Sequence, residues 1–328
     1  MLDLISIGDS TVDVFLEIDP KDAEGTCSLN KERCVICFDY GSKIPVRRLT
    51  RIPAVGNAAN NAIGSARLGI RVGIYTVLGS DKDAFEIKEV LKEEGVDTEF
   101  VVMEKDARSN FSVVINYSAE RTIFTYHEER KYDLPTLPKV GWVYFTSVAR
   151  GHEALHKQIP EYVKNSGAKL AFNPGSYQLR EGILGMKPIL EITEVLILNR
   201  EEAHLLVDGD IQDTKNLIRK LRETGPKVVV VTDGRNGSFS SFDGREFWHI
   251  GIPEASPIIE MTGAGDAYST GFLAATISGR DLPEAMVWGT MNATSVVQHI
   301  GAREGLLTGN GIEEFIKKYK DQVKVKMF

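Results

Sequence analysis

The stretch "EMTGAGDAYSTGFLAA", residues 260–275, sets three small residues and one carboxylate at the mouth of an apolar run with helical character. Glycine costs about 1 kcal/mol against alanine inside a helix, so Gly263 and Gly265 read as room for something that approaches the backbone. A helix starting near Gly263 leaves its first amides unpaired and partly positive, a natural seat for a phosphate. Gly263, Ala264 and Gly265 would cradle the anion, and Asp266, in the first turn, would reach the same spot as a proton acceptor. The alternative is an ordinary helix start with a well-placed acid and small residues for close packing.

Four other stretches carry groups of use to the same chemistry. In "LNREE", Asn199 and Glu202 lie three apart on one helix face; such oxygen ligands suit Mg²⁺ held through water, and the same spacing also writes a capping box. In "TDGRNG", Gly234 and Gly237 permit a tight turn with exposed amides and Thr232 offers a hydroxyl to a phosphate; a plain hairpin into "SFSSF" fits equally. "AVGNAANNAIGSARLG" presents Gly56, Asn57 and Asn60 at a helix start, neutral amides suited to sugar hydroxyls. "GDSTVD" leaves Asp9 and Asp13 beyond the first strand, where a carboxylate can accept from two adjacent hydroxyls of a polyol or simply shape a turn.

The elements that must position these groups alternate. Short β-branched runs at 4–8, 72–79, 142–147, 169–175, 194–199 and 227–234 are separated by amphipathic stretches, three of them ending in glycine. Strand–helix alternation predicts crossover units, hence an α/β fold with a mainly parallel sheet and ligands beyond the carboxyl ends of its strands. Two strand-rich insertions, about 11–52 and 100–127, break the rhythm and include "FVVME" and a "SAER" turn at 118–121. Together they predict a small β-sheet over the mouth of the larger one. From 263 the chain reads as helices at 263–279, 282–299 and 311–320.

Composition bounds the rest. The 328 residues carry a net charge of −7 with 42% hydrophobic content, which argues against broad affinity for nucleic acid or acidic membranes. No apolar run has bilayer length, and "MLDLISIGDS" lacks the features of a secretion signal, so a cytoplasmic location is expected. Cys27, Cys34 and Cys37 fall in one segment; the odd count disfavours disulfides, and reduced thiols in a strand pair are expected over a zinc site lacking a fourth ligand.

Over nearly its whole length the sequence resembles the ribokinase-like, or PfkB, family of carbohydrate kinases. "GDSTVD", "VGNAANNAIGSARLG", "LGSDKDAFEIKEVLKEEGVD", "LNREE", "VTDGRNG" and "EMTGAGDAYSTGFLAA" occur in the family's order. The resemblance implies one doubly wound α/β kinase domain over 1–328, a small β-sheet lid, and transfer of the ATP γ-phosphoryl group to a sugar hydroxyl. Asp266 would be the base and Gly263, Ala264 and Gly265 the anion hole. Asn199 and Glu202 would help hold Mg²⁺ and its waters; Thr232, Gly234 and Gly237 would line the nucleotide site, with Asn292 beside the adenine. Asp13, Gly56, Asn57 and Asn60 would hold the sugar. Glu260 and Thr262, with the segment from His299 to Gly305, resemble a monovalent-cation site that implies K⁺. Val55 and Ala84 stand where the family commonly has glycine, and the 20–45 insertion is long; these departures bear on substrate identity.

A phosphorylated substrate calls for Lys or Arg in the substrate loop. Asn57 occupies such a place, which favours a neutral sugar of the ribose or fructose type; Arg121 and Arg130 read as solvated surface charges. The rival on the same fold is a nucleoside kinase with Phe15, Phe38 or Tyr126 stacking on a base. A catalytically silent sensor is a third reading, against which the intact Asp266 and Glu202 speak. Open edges of the lid sheet predict a homodimer.

Overall fold

The computed structural model describes residues 1–27, 34–117, 120–254 and 257–328. Its centre is a ten-stranded sheet whose spatial order runs Val101–Met103, Val72–Leu78, Leu4–Ile7, Trp142–Phe145, Lys169–Phe172, Thr193–Asn199, Val228–Thr232, Ser238–Ser241, Trp248–Ile250 and Lys326–Met327. The first seven are mutually parallel and the last three antiparallel. The expected mainly parallel sheet is present, and the sequence order reverses direction across Leu4–Ile7, as in a doubly wound fold.

Both faces of this sheet are covered because neighbouring residues of each strand serve opposite apolar layers. Leu4, Ile74, Trp142, Tyr144 and Val230 enter one layer; Ile5, Ile7, Tyr75, Val143, Phe145 and Val229 enter the other. The helices Asn57–Arg67, Lys82–Glu93, Ala264–Ile277 and Leu282–Val296 close the first layer, and Leu155–Ser166, Gly182–Leu190 and Thr214–Glu223 close the second.

A second sheet has the order Val46–Val55, Thr11–Ile18, Asn110–Tyr117, Glu120–Tyr126. It joins the body through a small apolar plug of Phe15, Ile52, Val55 and Val114 against Ile300. Val55, one of the two departures from glycine, is thus a packing residue of this joint. "VRRLTR" forms the exposed edge strand, with Arg51 reaching Asp83 and Glu86 of the Lys82–Glu93 helix at 2.7 and 2.5 Å.

One sequence expectation is corrected. "FVVME" does not belong to the small sheet: Val101–Met103 is an edge strand of the large one, parallel to Val72–Leu78. Three residues are too few for alternation to reveal which sheet they join. Trp248–Ile250, of three residues, and Lys326–Met327, of two, carry no sequence signal at all. The cysteine segment contains the expected antiparallel pair, Glu24–Cys27 with Cys34–Cys37. Cys37 is exposed and free; the side chains of Cys27 and Cys34, and the turn centre at 118–119, lie outside the described residues.

Candidate active site

The helix Ala264–Ile277 begins beyond the carboxyl ends of the parallel strands, and its first turn is open. Gly263 has φ 77°, a left-handed conformation, and a side chain there would overlap Ala302; only glycine fits both demands. Ala267 N–H bonds the Gly263 carbonyl at 2.8 Å and Ala264 N–H makes a long 3.4 Å contact with Met261. Among the described residues the amides of Gly265 and Asp266 have no partner, and a Cβ placed on Gly265 would meet nothing. The sequence therefore builds a helix start whose donors face free space. Within that cradle the most open amides are those of Gly265 and Asp266, while Gly263 supplies the bend.

Asp266 is half-buried beside them. Its Oδ2 accepts from Asn60 Nδ2 at 2.8 Å across the Asn57–Arg67 helix. Burial pushes the Asp266 carboxyl up to about 6, with the Asn60 bond holding it down. Burial likewise pushes Asp13 up to about 6, against a Ser112 bond that lowers it and with the charges of Glu260 and Asp266 adding to the rise. Asp13, on the small sheet, and Asp266, on the body, therefore share one electrostatic neighbourhood. Gly56 turns the chain between them with φ 92°, where an added Cβ would lie 3.0 Å from the Asp9 carbonyl. Asn57 is half-buried at the same helix start.

Behind these residues, Tyr132 hydroxyl donates to Asp9 Oδ1 at 2.6 Å and accepts from Ala149 N–H at 3.0 Å. Asp9 Oδ2, Ser10 Oγ, Asn60 Oδ1 and Asn110 Nδ2 are buried without a partner. A buried polar atom left unpaired costs about 1–3 kcal/mol, so these four atoms are a local cost in stability beside Asp13 and Asp266. Arg130 is not the solvated charge expected from sequence. Its side chain is fully buried, pairs with Glu104 at 3.0 Å and donates to the Arg108 carbonyl, whereas Arg121 is exposed.

On the other side of the helix start lies a cavity of about 170 Å³. Thr232, Gly234 and Gly237 line it as expected, together with Ala264, Gly265, Tyr268, Ile252, Met261 and the stripe Thr290, Ala293, Thr294, Val297. "TDGRNG" is both things its sequence allowed: Val228–Thr232 and Ser238–Ser241 pair as a hairpin, and its turn faces the cavity. Arg200 bonds Asp233 at 2.8 Å and braces the turn.

Asn292 does not reach this cavity. It is fully buried, its Nδ2 donating to the Ala267 carbonyl at 2.8 Å and its Oδ1 accepting from Leu307 N–H at 2.9 Å. The lining stripe follows helical i, i+3, i+4, i+7 spacing from Thr290, and position 292 lies some 200° around the helix from it. Tyr268, Met261 and the Ile252–Pro253 walls were not anticipated. The stripe carried a legible signal; the wall residues Ile252, Pro253 and Met261 did not.

Asn199 and Glu202 form the capping box of the Arg200–Leu206 helix, with Glu202 N–H on Asn199 Oδ1 at 2.8 Å and Asn199 N–H on Glu202 Oε2 at 2.9 Å. Burial raises the Glu202 carboxyl, and the charge of Asp266 adds to the rise. The cap leaves Glu202 Oε1 for a ligand near Asp266, a fit for water-mediated Mg²⁺, while Asn199 Oδ1 is already engaged. Glu260 and Thr262 form a tether: Glu260 Oε2 accepts from Gly301 N–H at 2.8 Å and Oε1 from the Thr262 hydroxyl. Phe15 is in the apolar plug, 3% exposed, and has no face to offer a base. Phe38 is half-buried, and Tyr126 is exposed.

An open anion cradle with an adjacent carboxylate, between an apolar cavity and a polar pocket, is the layout of a phosphoryl-transfer site. Comparison with known proteins agrees. The pfkB family carbohydrate kinase model matches residues 25–308. A 5-dehydro-2-deoxygluconokinase of Shouchella clausii is 25% identical over 80% of this chain and 86% of its own. A nucleoside kinase of Methanothermobacter thermautotrophicus is 24% identical over 97% and 96%. The structure of Arabidopsis thaliana ribokinase complexed with ribose and ATP superposes with a TM-score of 0.76 at 20% identity, covering 96% of this chain and 99% of that one. The chain belongs to the pfkB family of carbohydrate kinases, has the ribokinase-like fold, and is a phosphotransferase.

Proposed function

We propose that this kinase transfers the γ-phosphoryl group of ATP to a hydroxyl of a small neutral sugar of the ribose or fructose type. The observation that carries the acceptor class is the juxtaposition of Asp13 and Asp266 with the Asn60 amide, on the helix that Asn57 opens. Arg130, the buried cation of this neighbourhood, is held by Glu104. Carboxylates and amides accept from and donate to hydroxyls; an acidic sugar would meet two negative charges.

In this reading the purine lies between Tyr268, Met261 and the Thr290–Val297 stripe, and the phosphates run to the Gly265 and Asp266 amides. Asp13 and Asn60 orient the acceptor, and Asp266 takes its proton as the oxygen attacks in line. Placement and fixed amide dipoles supply most of the rate, as phosphoryl transfer requires. Mg²⁺, held through water by Glu202, would neutralise phosphate charge. The small sheet acts as the lid that excludes water. The Glu260–Thr262 tether leaves backbone carbonyls of its loop as the oxygens for K⁺; a site there predicts a higher kcat in K⁺ than in Na⁺. Leu49, Ile123 and Phe124 on the lid's edge strands are exposed, and we propose a homodimer through this sheet; a monomer by light scattering at micromolar concentration contradicts it.

The test is coupled ADP release with ribose, fructose, adenosine and 2-keto-3-deoxygluconate. Turnover on ribose or fructose supports the reading. Preference for adenosine identifies a nucleoside kinase, and preference for the acid contradicts the neutral pocket.

A further inference from the structure

Away from the nucleotide cavity and the acceptor pocket, the sequence "HEALH" places His152 and His156 four apart at the start of the Leu155–Ser166 helix. His152 lies three residues before the helix, in a turn closed by the Leu155 N–H bond to its carbonyl at 2.9 Å, and this turn brings its ring beside that of His156 in the first helical turn. Both are buried, 3% and 6% exposed, with ring centres 5.0 Å apart. Glu181, at the junction of the helices Ser176–Arg180 and Gly182–Leu190, faces both. His152 Nε2 lies 2.7 Å from Glu181 Oε1 and His156 Nδ1 3.3 Å from Oε2. The ligand atoms of all three residues fall within 4.8 Å of one another.

The hydrogen-bond arithmetic of this cluster does not close with neutral rings. His152 Nδ1 sits 2.7 Å from the Ala149 carbonyl, so that nitrogen carries the proton and Nε2 aims a lone pair at a carboxylate oxygen. His156 Nε2 is buried with no partner. If Nε2 holds the His156 proton, Nδ1 also turns a lone pair on Glu181; if Nδ1 holds it, an acceptor is stranded in the interior. A cation at the convergence point would take the lone pairs of His152 Nε2, His156 Nδ1 and Glu181 together, where a proton on His152 Nε2 would settle that pair alone; His156 Nε2–H stays without a partner in either case, and the Nδ1–H···O=C bond of His152 is the kind of support that orients a metal-ligating histidine.

We infer that His152, His156 and Glu181 form a binding site for a borderline divalent transition-metal ion such as Zn²⁺. Two imidazoles and a carboxylate are a zinc donor set, unlike the all-oxygen environment that Mg²⁺ takes. Tetrahedral bonds of about 2.0–2.1 Å to each ligand set ligand atoms about 3.3 Å apart, so the His152–Glu181 pair, at 2.7 Å, must open by about 0.6 Å. The Glu181 side chain, 28% exposed, has the freedom to do so and leaves one face for a water ligand and for entry. Glu153 is exposed and both imidazoles are buried, so the ion is structural, pinning the Leu155–Ser166 helix to the helix junction at Glu181.

The probe is Co²⁺ followed by visible absorption, with Zn²⁺ competition, on the full chain with Cys27, Cys34 and Cys37 changed to serine so that thiols cannot contribute. One equivalent should bind with tetrahedral d–d bands and be displaced by Zn²⁺. Glu181→Gln, nearly isosteric, and His152→Ala should each weaken binding at least ~100-fold, beyond the loss typical of a supporting contact. Zn²⁺ should raise the melting temperature of the parent but not of Glu181→Gln, whose metal-free melting temperature reports whether it has folded. Absence of stoichiometric binding, or binding that survives Glu181→Gln, overturns the site and leaves a proton-shared His152–Glu181 pair.

Discussion

The two halves of the candidate site are built on opposite principles. The cavity proposed for the nucleotide is walled by Ile252, Pro253, Met261, Tyr268 and Val297, with few polar groups to satisfy. The acceptor side gathers Asp9, Asp13, Asn60 and Asn110, several of whose polar atoms are buried and unpaired. An apolar slot selects by shape and tolerates small changes; a pocket of unpaired polar atoms rejects any ligand that fails to pair them. The unpaired polar atoms on the second side carry a local cost in stability. The helix start at Gly263 divides the halves and serves both.

Substitutions can break that contrast. The largest effect is expected for Asp266→Asn: kcat falls by about 10²–10⁴, the range for loss of a general base, while nucleotide Kd by calorimetry changes little. Asp266 has its folded-state pKa raised, so ionisation at neutral pH costs stability. That contribution is favourable below the unfolded pKa and lost as pH rises through about 6. Asp266→Asn should accordingly melt higher than wild type at pH 7 and show little gain at pH 4. Unchanged turnover would remove Asp266 from the mechanism.

Gly263→Ala comes next. It forces a side chain onto Ala302 at positive φ, costs about 1–3 kcal/mol of stability, and should lower kcat by displacing the Gly265 and Asp266 amides. The acceptor half is probed by Asn60→Ala, expected to raise the acceptor KM about tenfold or more with a smaller change in the ATP KM. The smallest effects sharpen the nucleotide half. Ala293→Phe, on the lining stripe, should raise the ATP KM, whereas Asn292→Ala, on the opposite face, should cost about 1–3 kcal/mol of stability and leave the ATP KM near wild type. The reverse pattern would return Asn292 to the adenine.

This pair also shows what sequence could convey. Long strands such as Val72–Leu78 and glycine-rich helix starts carry strong local signals because burial on both faces and open amides demand particular residues. Asn292 drew notice for its polarity, although its helical phase already pointed it inward. The capping box at Asn199 and Glu202 could not be told from a metal site in one dimension, since both need oxygens three residues apart. Arg130 looked solvated because its partners, Glu104 and the Arg108 carbonyl, lie over twenty residues away. Short edge strands and the wall residues Ile252, Pro253 and Met261 depend on tertiary packing, for which no period exists in the sequence.

The pH dependence of kcat/KM for the accepted sugar tests the central claim most directly. A carboxylate that must be ionised to take the proton, and whose burial holds it near 6, predicts a limb that falls below about pH 6 in wild type. In an Asp13→Asn background, which removes the other carboxyl held near 6, the residual activity of Asp266→Asn should lack it. A wild-type profile flat from pH 5 to 8, or the same limb retained in that double variant, would contradict the assignment.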